Sequence, residues 1–172
     1  IDVSIAEAFY GAEKKITLRT QNGKMKNFNV KIPTGIRNGE KIRLMGQGKP
    51  GQNGGKPGDL LIKINIENDT NYSLAGVDMI TNLYLAPWEA ALGTKIELQT
   101  IDEQVLVYIP QGTQSGEKIC IKQKGYHNGQ AGRGDLIANV KIMVPKNMTE
   151  QEKELFETLK EKSRYNPRKI YS

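Results

Sequence analysis

A twelve-residue segment occurs twice in this chain, and nothing else in the sequence restricts the fold as strongly. Residues 31–42 read Lys-Ile-Pro-Thr-Gly-Ile-Arg-Asn-Gly-Glu-Lys-Ile. Residues 108–119 read Tyr-Ile-Pro-Gln-Gly-Thr-Gln-Ser-Gly-Glu-Lys-Ile, and seven of the twelve positions are identical. Each copy is preceded by Glu-Ala-x-x-Gly, at 7–11 and 89–93. Each is followed by a Gly-rich loop ending in Gly-Asp-Leu, at 58–60 and 134–136. The three markers keep their order at offsets of 82, 77 and 76 residues, so one unit has been duplicated with small length changes in its loops.

Within each unit apolar and polar residues alternate over short runs bounded by Gly, Pro and Asn. The runs are 15–18, 28–32 and 60–66 in the first unit, and 96–98, 105–109 and 137–144 in the second. This pattern predicts half-buried antiparallel strands, and Asn22-Gly23 predicts a hairpin turn. Segments 4–10 and 87–92 are long enough for only a helical turn or two. Ser4 with Glu7 forms a capping-box pattern, and Pro87 suits a first turn. Beyond Pro145, Thr149 and Glu152 repeat the capping box. Glutamates crowd the start of that segment and Lys160, Lys162 and Arg164 its end, as the helix dipole favours. Leu155, Phe156 and Leu159 share one face. The spacing predicts a helix over 147–165, with a frayed tail after Asn166-Pro167. The result is a mainly β protein of two duplicated domains, 1–70 and 71–146, followed by a C-terminal α-helix and tail at 147–172.

Composition narrows the function. Hydrophobic residues make up 37% and aromatic residues only 6%, so the core is lean and aliphatic. No apolar run approaches the roughly 20 residues of a membrane helix. The chain does not begin with Met and carries no signal-peptide pattern, which reads as a fragment of a cytoplasmic protein. One cysteine, Cys120, excludes an internal disulfide and a Cys-based zinc site. One histidine, His127, argues against a His-rich metal centre or a catalytic relay. His127 lies in a Gly-rich turn and reads as solvated; Cys120 reads as a packed small hydrophobe. Asp59 and Asp135 occupy equivalent places and read as caps of their own turns. The Gly-rich run 46–55 lacks phosphate-loop spacing, leads into a strand and reads as a plain mobile loop. The residues therefore suggest no enzyme, no cofactor and no metal.

Two binding features remain. The net charge is +6, and the excess sits in residues 1–71, which hold 12 Lys and Arg against 7 Asp and Glu. Lys14, Lys15, Arg19, Lys24 and Lys26 surround one predicted hairpin. They form either a phosphate-binding patch for DNA or a solvated face. Ile16 and Leu18 share one face of a short strand. They either face the core or line an edge that accepts an added peptide strand.

The ordered set Glu-Ala-x-x-Gly, Ile-Pro-x-Gly-x-x-x-Gly-Glu-Lys-Ile, Gly-rich loop and Gly-Asp-Leu, duplicated and followed by a short helix, resembles the C-terminal region of DnaJ-type J-domain co-chaperones. The resemblance covers essentially the whole chain. It implies two tandem small β-sandwich domains with short helical turns and a C-terminal dimerisation helix. The implied homodimer holds unfolded or hydrophobic polypeptides for a DnaK-type chaperone. The chain has no His-Pro-Asp tripeptide, so it carries no J-domain signature, and no Cys-x-x-Cys repeats interrupt the first unit. It is therefore similar to the zinc-free class, which includes a bacterial curved-DNA-binding protein and keeps DNA among the implied partners. By motif position, the peptide groove of that class maps to Ile1, Ile16, Leu18 and Ile62, and dimer contacts map to Leu155, Phe156 and Leu159. The DNA alternative rests on Lys14, Lys15, Lys24 and Lys26.

Overall fold

The computed structural model describes residues 1–129 and 132–169; the end of the predicted tail lies outside them. The first repeat runs β1 (Asp2–Ser4), α1 (Ile5–Tyr10), β2 (Ala12–Arg19), β3 (Met25–Ile32), β4 (Lys41–Leu44), β5 (Leu60–Lys63) and β6 (Asn65–Glu67). The second runs β7 (Ser73–Ala75), β8 (Asp78–Leu85), α2 (Pro87–Leu92), β9 (Thr94–Gln99), β10 (Gln104–Ile109) and β11 (Lys118–Ile121). It continues with β12 (His127–Asn128), β13 (Gly132–Arg133) and β14 (Leu136–Ile142), before α3 (Glu150–Lys162). The chain is mainly β, as expected. In α1 the Ser4 hydroxyl accepts from the Glu7 amide at 3.1 Å, and the Ser4 amide donates to the Glu7 carboxylate at 2.8 Å. Thr149 and Glu152 open α3 in the same way.

The expectation of antiparallel pairing needs a correction. The hairpins β2–β3, β4–β5 and β9–β10 are antiparallel, but each repeat closes through one parallel pair, β1–β6 in the first and β8–β14 in the second. Val3 sits opposite Ile66 in β1–β6, and Leu85 opposite Ile142 in β8–β14. These residues are counterparts under the duplication, so the register is duplicated too. The predicted single strand 60–66 is broken at Ile64. Its amide donates to the Glu40 carbonyl and its carbonyl accepts from the Gly39 amide, both at 2.8 Å. The strand thereby leaves β4 and turns to β1. Val140 makes the same pair of 2.8 Å bonds to Gly116 and Glu117.

Two apolar clusters form. One gathers Leu83, Leu85, Val107, Ile109 and Val140 of the second repeat. The other gathers Val3, Ile5, Phe9, Val30, Ile32 and Ile64 of the first repeat and continues into Met79, Tyr126 and Leu136 of the second. The Gly-rich loops carry equivalent internal bonds. Gly48 donates to the Gly58 carbonyl and Gly125 to the Gly134 carbonyl, both at 2.8 Å. Asp59 accepts from the Gly46 amide and Asp135 from the Gln123 amide, each at 2.9 Å. These amides, with Arg43 and Lys122 beside them, hold both carboxyls below the usual range. The two aspartates are turn caps, as the sequence suggested. Cys120 departs from expectation: it is exposed, and its thiol is pushed up by desolvation and by Asp135.

A Cβ added at Gly48 or Gly125 would lie 2.5 Å from the carbonyl oxygen of Asp59 or Asp135, whereas one at Gly58 would meet nothing nearer than 4.0 Å. Gly48→Ala or Gly125→Ala should therefore destabilise the chain by about 1–3 kcal/mol, as forced overpacking does. Gly58→Ala should stay within about 0.5 kcal/mol, as ordinary surface changes do. Urea unfolding of the three variants checks the contrast.

Candidate functional site

The strand β2 pairs with β3 alone, so one of its edges has no strand partner among the described residues. Alternation turns Lys14, Ile16 and Leu18 to one face and Lys15, Thr17 and Arg19 to the other. Ile16 sits across from Phe28 and is half-buried against the core; Leu18 sits across from Lys26 and is 38% exposed. Ile1 lies alongside through β1. Its ammonium donates to the Lys63 carbonyl at 2.6 Å, and its carbonyl accepts from Asn65 at 2.8 Å. Ile62, by contrast, is only 5% exposed and sits inside the core. Ile1, Ile16 and Leu18 thus reach the surface, and Ile62 belongs to the buried cluster against which Ile1 and Ile16 pack.

The basic residues do not form one patch. Lys14 reaches across to the Asp2 carbonyl at 2.9 Å and the Glu7 carboxylate at 3.0 Å. That carboxyl is held low by the Ser4 amide and by Lys14. Lys26 donates to Gln47 at 2.6 Å and lies over the Phe28 ring. Lys15 projects from the opposite face, and Lys24 from the hairpin turn. Beside Lys26, a cleft of about 430 Å³ opens between this turn and the Gly-rich loop, floored by Leu18, Phe28 and Leu60.

In the second repeat the corresponding loop and hairpin turn instead contact the first repeat. His127 is not solvated: its ring stacks on Phe9 with centroids 4.3 Å apart, and Nε2 lies 3.0 Å from the Phe9 carbonyl, which can only accept. Arg133 covers the same ring at 4.8 Å. Tyr10 donates to the Ile101 carbonyl at 3.0 Å, Tyr72 to that of Gln99 at 2.7 Å, and Tyr126 to that of Ile36. Arg133 also pairs with Asp102 at 2.8 Å, and Lys124 pairs with Glu103. Burial pushes the Asp102 carboxyl up, but the hydrogen bond and charge of Arg133 outweigh it and leave it ionised. The sequence reading missed this joint. Its only written signal was the mismatch of Tyr126-His127 with Lys49-Pro50 at equivalent positions.

The helix α3 has no buried residue. Leu155 and Leu159 are 64% and 61% exposed, and Phe156 is half-buried.

Burial raises the Tyr126 hydroxyl from 10.0 to about 12. Below pH 10 the phenol is neutral in both folded and unfolded chains, and its contribution is complete. As the pH rises toward 12 the unfolded chain ionises first and stability falls. Unfolding at pH 9 and pH 11 should show a loss on the order of 1 kcal/mol that Tyr126→Phe does not share.

Comparison with known proteins accords with this architecture. The DnaJ C terminal domain family matches residues 1–145. A protein named Curved DNA-binding protein from Pseudomonas putida is 42% identical over 147 residues, covering 86% of this chain and 46% of that protein. Its namesake from Coxiella burnetii is 36% identical over 178 residues, covering 98% and 56%. That from Pseudomonas syringae pv. tomato is 37% identical over 175 residues, covering 96% and 56%. The chain spans about half the length of these relatives. It belongs to the DnaJ C-terminal domain family.

Proposed function

We propose that this chain is the client-holding part of a DnaJ-type co-chaperone. It binds unfolded or hydrophobic polypeptide segments by strand addition to the edge of β2 and holds them for a DnaK-type chaperone. The observation that carries the reading is the unpaired β2 edge, with Ile16 and Leu18 half-sunk beside it. Backbone groups along such an edge bind any extended segment, and the apolar row selects for apolar side chains. In this reading residues 1–70 form the peptide-binding domain, 71–146 a second domain, and 147–172 the dimerising helix and tail. No chemical conversion, cofactor or metal is involved, and the protein works in the cytoplasm. Among the described residues no helix is long and apolar enough to cross a membrane.

A second reading, DNA binding, draws on the name of the relatives and on the basic first repeat. Lys14 and Lys26 are already engaged within the chain, which weakens it.

Ile16→Ser with Leu18→Ser should lower affinity for an apolar extended peptide at least tenfold, measured by fluorescence anisotropy, while the circular dichroism spectrum stays unchanged. Undiminished binding sinks the edge assignment. Changing Lys14, Lys15, Lys24 and Lys26 together to Gln should leave that peptide bound at about 0.15 M salt, where charges beyond ~8 Å are screened. If a DNA duplex binds the parent chain and is lost with these changes, the second reading holds as well.

A helix of 13 residues is marginal in water without a partner surface. With Leu155 and Leu159 exposed, a symmetric second copy is the natural cover. Leu155→Glu with Leu159→Glu should convert a dimer into a folded monomer in sedimentation at tens of micromolar. Client holding should weaken as the avidity of two linked grooves is lost. A monomeric parent chain excludes the dimer.

A further inference from the structure

The duplication makes the second repeat a guide to what the first repeat can bind. In both repeats a corner lies between a hairpin turn and a Gly-rich loop. The turns are fixed alike: Thr20 and Thr100 each donate backbone N–H and side-chain O–H to a carbonyl across the turn, that of Lys24 or Glu103. The loops are fixed alike by Gly48 with Gly58 and by Gly125 with Gly134. The floors share the Leu of Gly-Asp-Leu, Leu60 or Leu136.

In the second repeat this corner holds a ligand that happens to be part of the same chain. The ligand is Phe9, gripped on its ring by His127 and Arg133 and at its carbonyl by His127. In the first repeat the corner is an open cleft of about 430 Å³. Its chemistry has also changed. The acids of the second corner, Asp102 and Glu103, are neutralised internally by Arg133 and Lys124. The first corner is lined by Arg19, Lys26 and Lys49 and by no carboxylate. Lys49 and Pro50 stand where Tyr126 and His127 stand in the copy.

We infer that this cleft is a second binding site, separate from the β2 edge, for an acidic polypeptide segment that presents one aromatic side chain. The aromatic ring enters over Leu18, Phe28 and Leu60, as Phe9 enters the equivalent corner. Carboxylates on either side of it meet Arg19 and Lys49 on the rim, while Lys26 stays bonded to Gln47 over the Phe28 ring. Another copy of this chain is a poor occupant. The helix equivalent to the one carrying Phe9 is α2, where Ala91 replaces Phe9 and the exposed Trp88 stands at the place of Ala6, three residues away from the Phe9 position. The inference does not depend on the client-holding reading. Leu18 alone belongs to both sites, so the test avoids it.

The probe is a fluorescein-labelled peptide, Asp-Glu-Ala-Phe-Gly-Asp-Glu, titrated with the whole chain in fluorescence anisotropy at about 0.15 M salt. Saturable binding is expected. It should weaken at least tenfold when Ala replaces Phe in the peptide, and at least tenfold in the Arg19→Glu, Lys49→Glu double variant. Both side chains lie on the rim, and an unchanged circular dichroism spectrum establishes that the variant is folded. The double variant should still bind an uncharged apolar peptide, and Ile16→Ser should spare the acidic probe. Four results overturn the inference. The probe fails to bind, or the Phe-free peptide binds equally well, which leaves only an ionic surface. Ile16→Ser removes the probe as fully as the rim variant does, which puts both ligands on the β2 edge. Finally, the chain forms concentration-dependent head-to-tail polymers that exclude the probe, which makes a second copy the occupant.

Discussion

The parallel pairing that closes each repeat, β1 with β6 and β8 with β14, is the constraint on which the rest of the structure depends. It is a long-range closure, joining Val3 to Ile66 and Leu85 to Ile142. The hairpins between them are local and would form a loose array without it. The pairing is secured where the last strand changes partners, at Ile64 and Val140, by bonds to a Gly-Glu pair in the duplicated motif. That role explains why Gly-Glu-Lys-Ile is the longest unbroken identity between the copies: its backbone groups reach the strand that closes the unit. Gly39 and Gly116 have φ of 87° and 89°, a region that favours glycine.

Closure also decides how the two repeats meet. The link from β6 to β8 is short, and Tyr72 within it is tied to Gln99, so the first repeat is held against the corner of the second. Three tyrosine hydroxyls there donate to backbone carbonyls, Tyr10 and Tyr72 at the edge of the contact and Tyr126 within it. Each satisfies a carbonyl that would otherwise lose its solvation as the apolar surfaces meet. Phe9, between an imidazole and a guanidinium, supplies the apolar centre. The apolar cluster of the first repeat therefore runs into the second without a break. A joint of this kind ties the first repeat to the surfaces of the second.

Much of this was legible in the sequence because it was local or repeated. Duplication announced two copies, alternation located most strands, and Ser4–Glu7 and Thr149–Glu152 announced helix starts. Parallel closure was not legible, because period-two alternation is the same in parallel and antiparallel strands, and β1 is only three residues long. The joint was not legible for a related reason. A turn histidine looks solvated until the topology brings another repeat against it, and nothing near His127 in the chain mentions Phe9. Within the candidate site, Ile16 and Leu18 could be placed on one face from alternation. The burial of Ile62 could not be, since the same face of β5 is covered or bare according to what packs across it.

An unpaired edge strand that binds extended chains runs the risk of binding itself. The composition of β2 bears on this directly. Lys14, Lys15 and Arg19 flank its two exposed or half-exposed apolar residues. Two copies of the strand brought edge to edge would place several like charges within a few ångström of one another, which natural edge strands use against self-association. A segment of neutral or acidic composition meets no such repulsion and finds the same backbone groups. In the second repeat the corresponding hairpin, β9–β10, is protected differently. Its turn is tied to the first repeat by Tyr10 and Tyr72, and its edge carries Lys95, Glu97 and Gln99 in place of a run of cations. The basic excess of the first repeat thus coincides with the one hairpin whose tip no neighbouring repeat covers among the described residues. An electrostatic guard there disfavours edge-to-edge pairing of two copies.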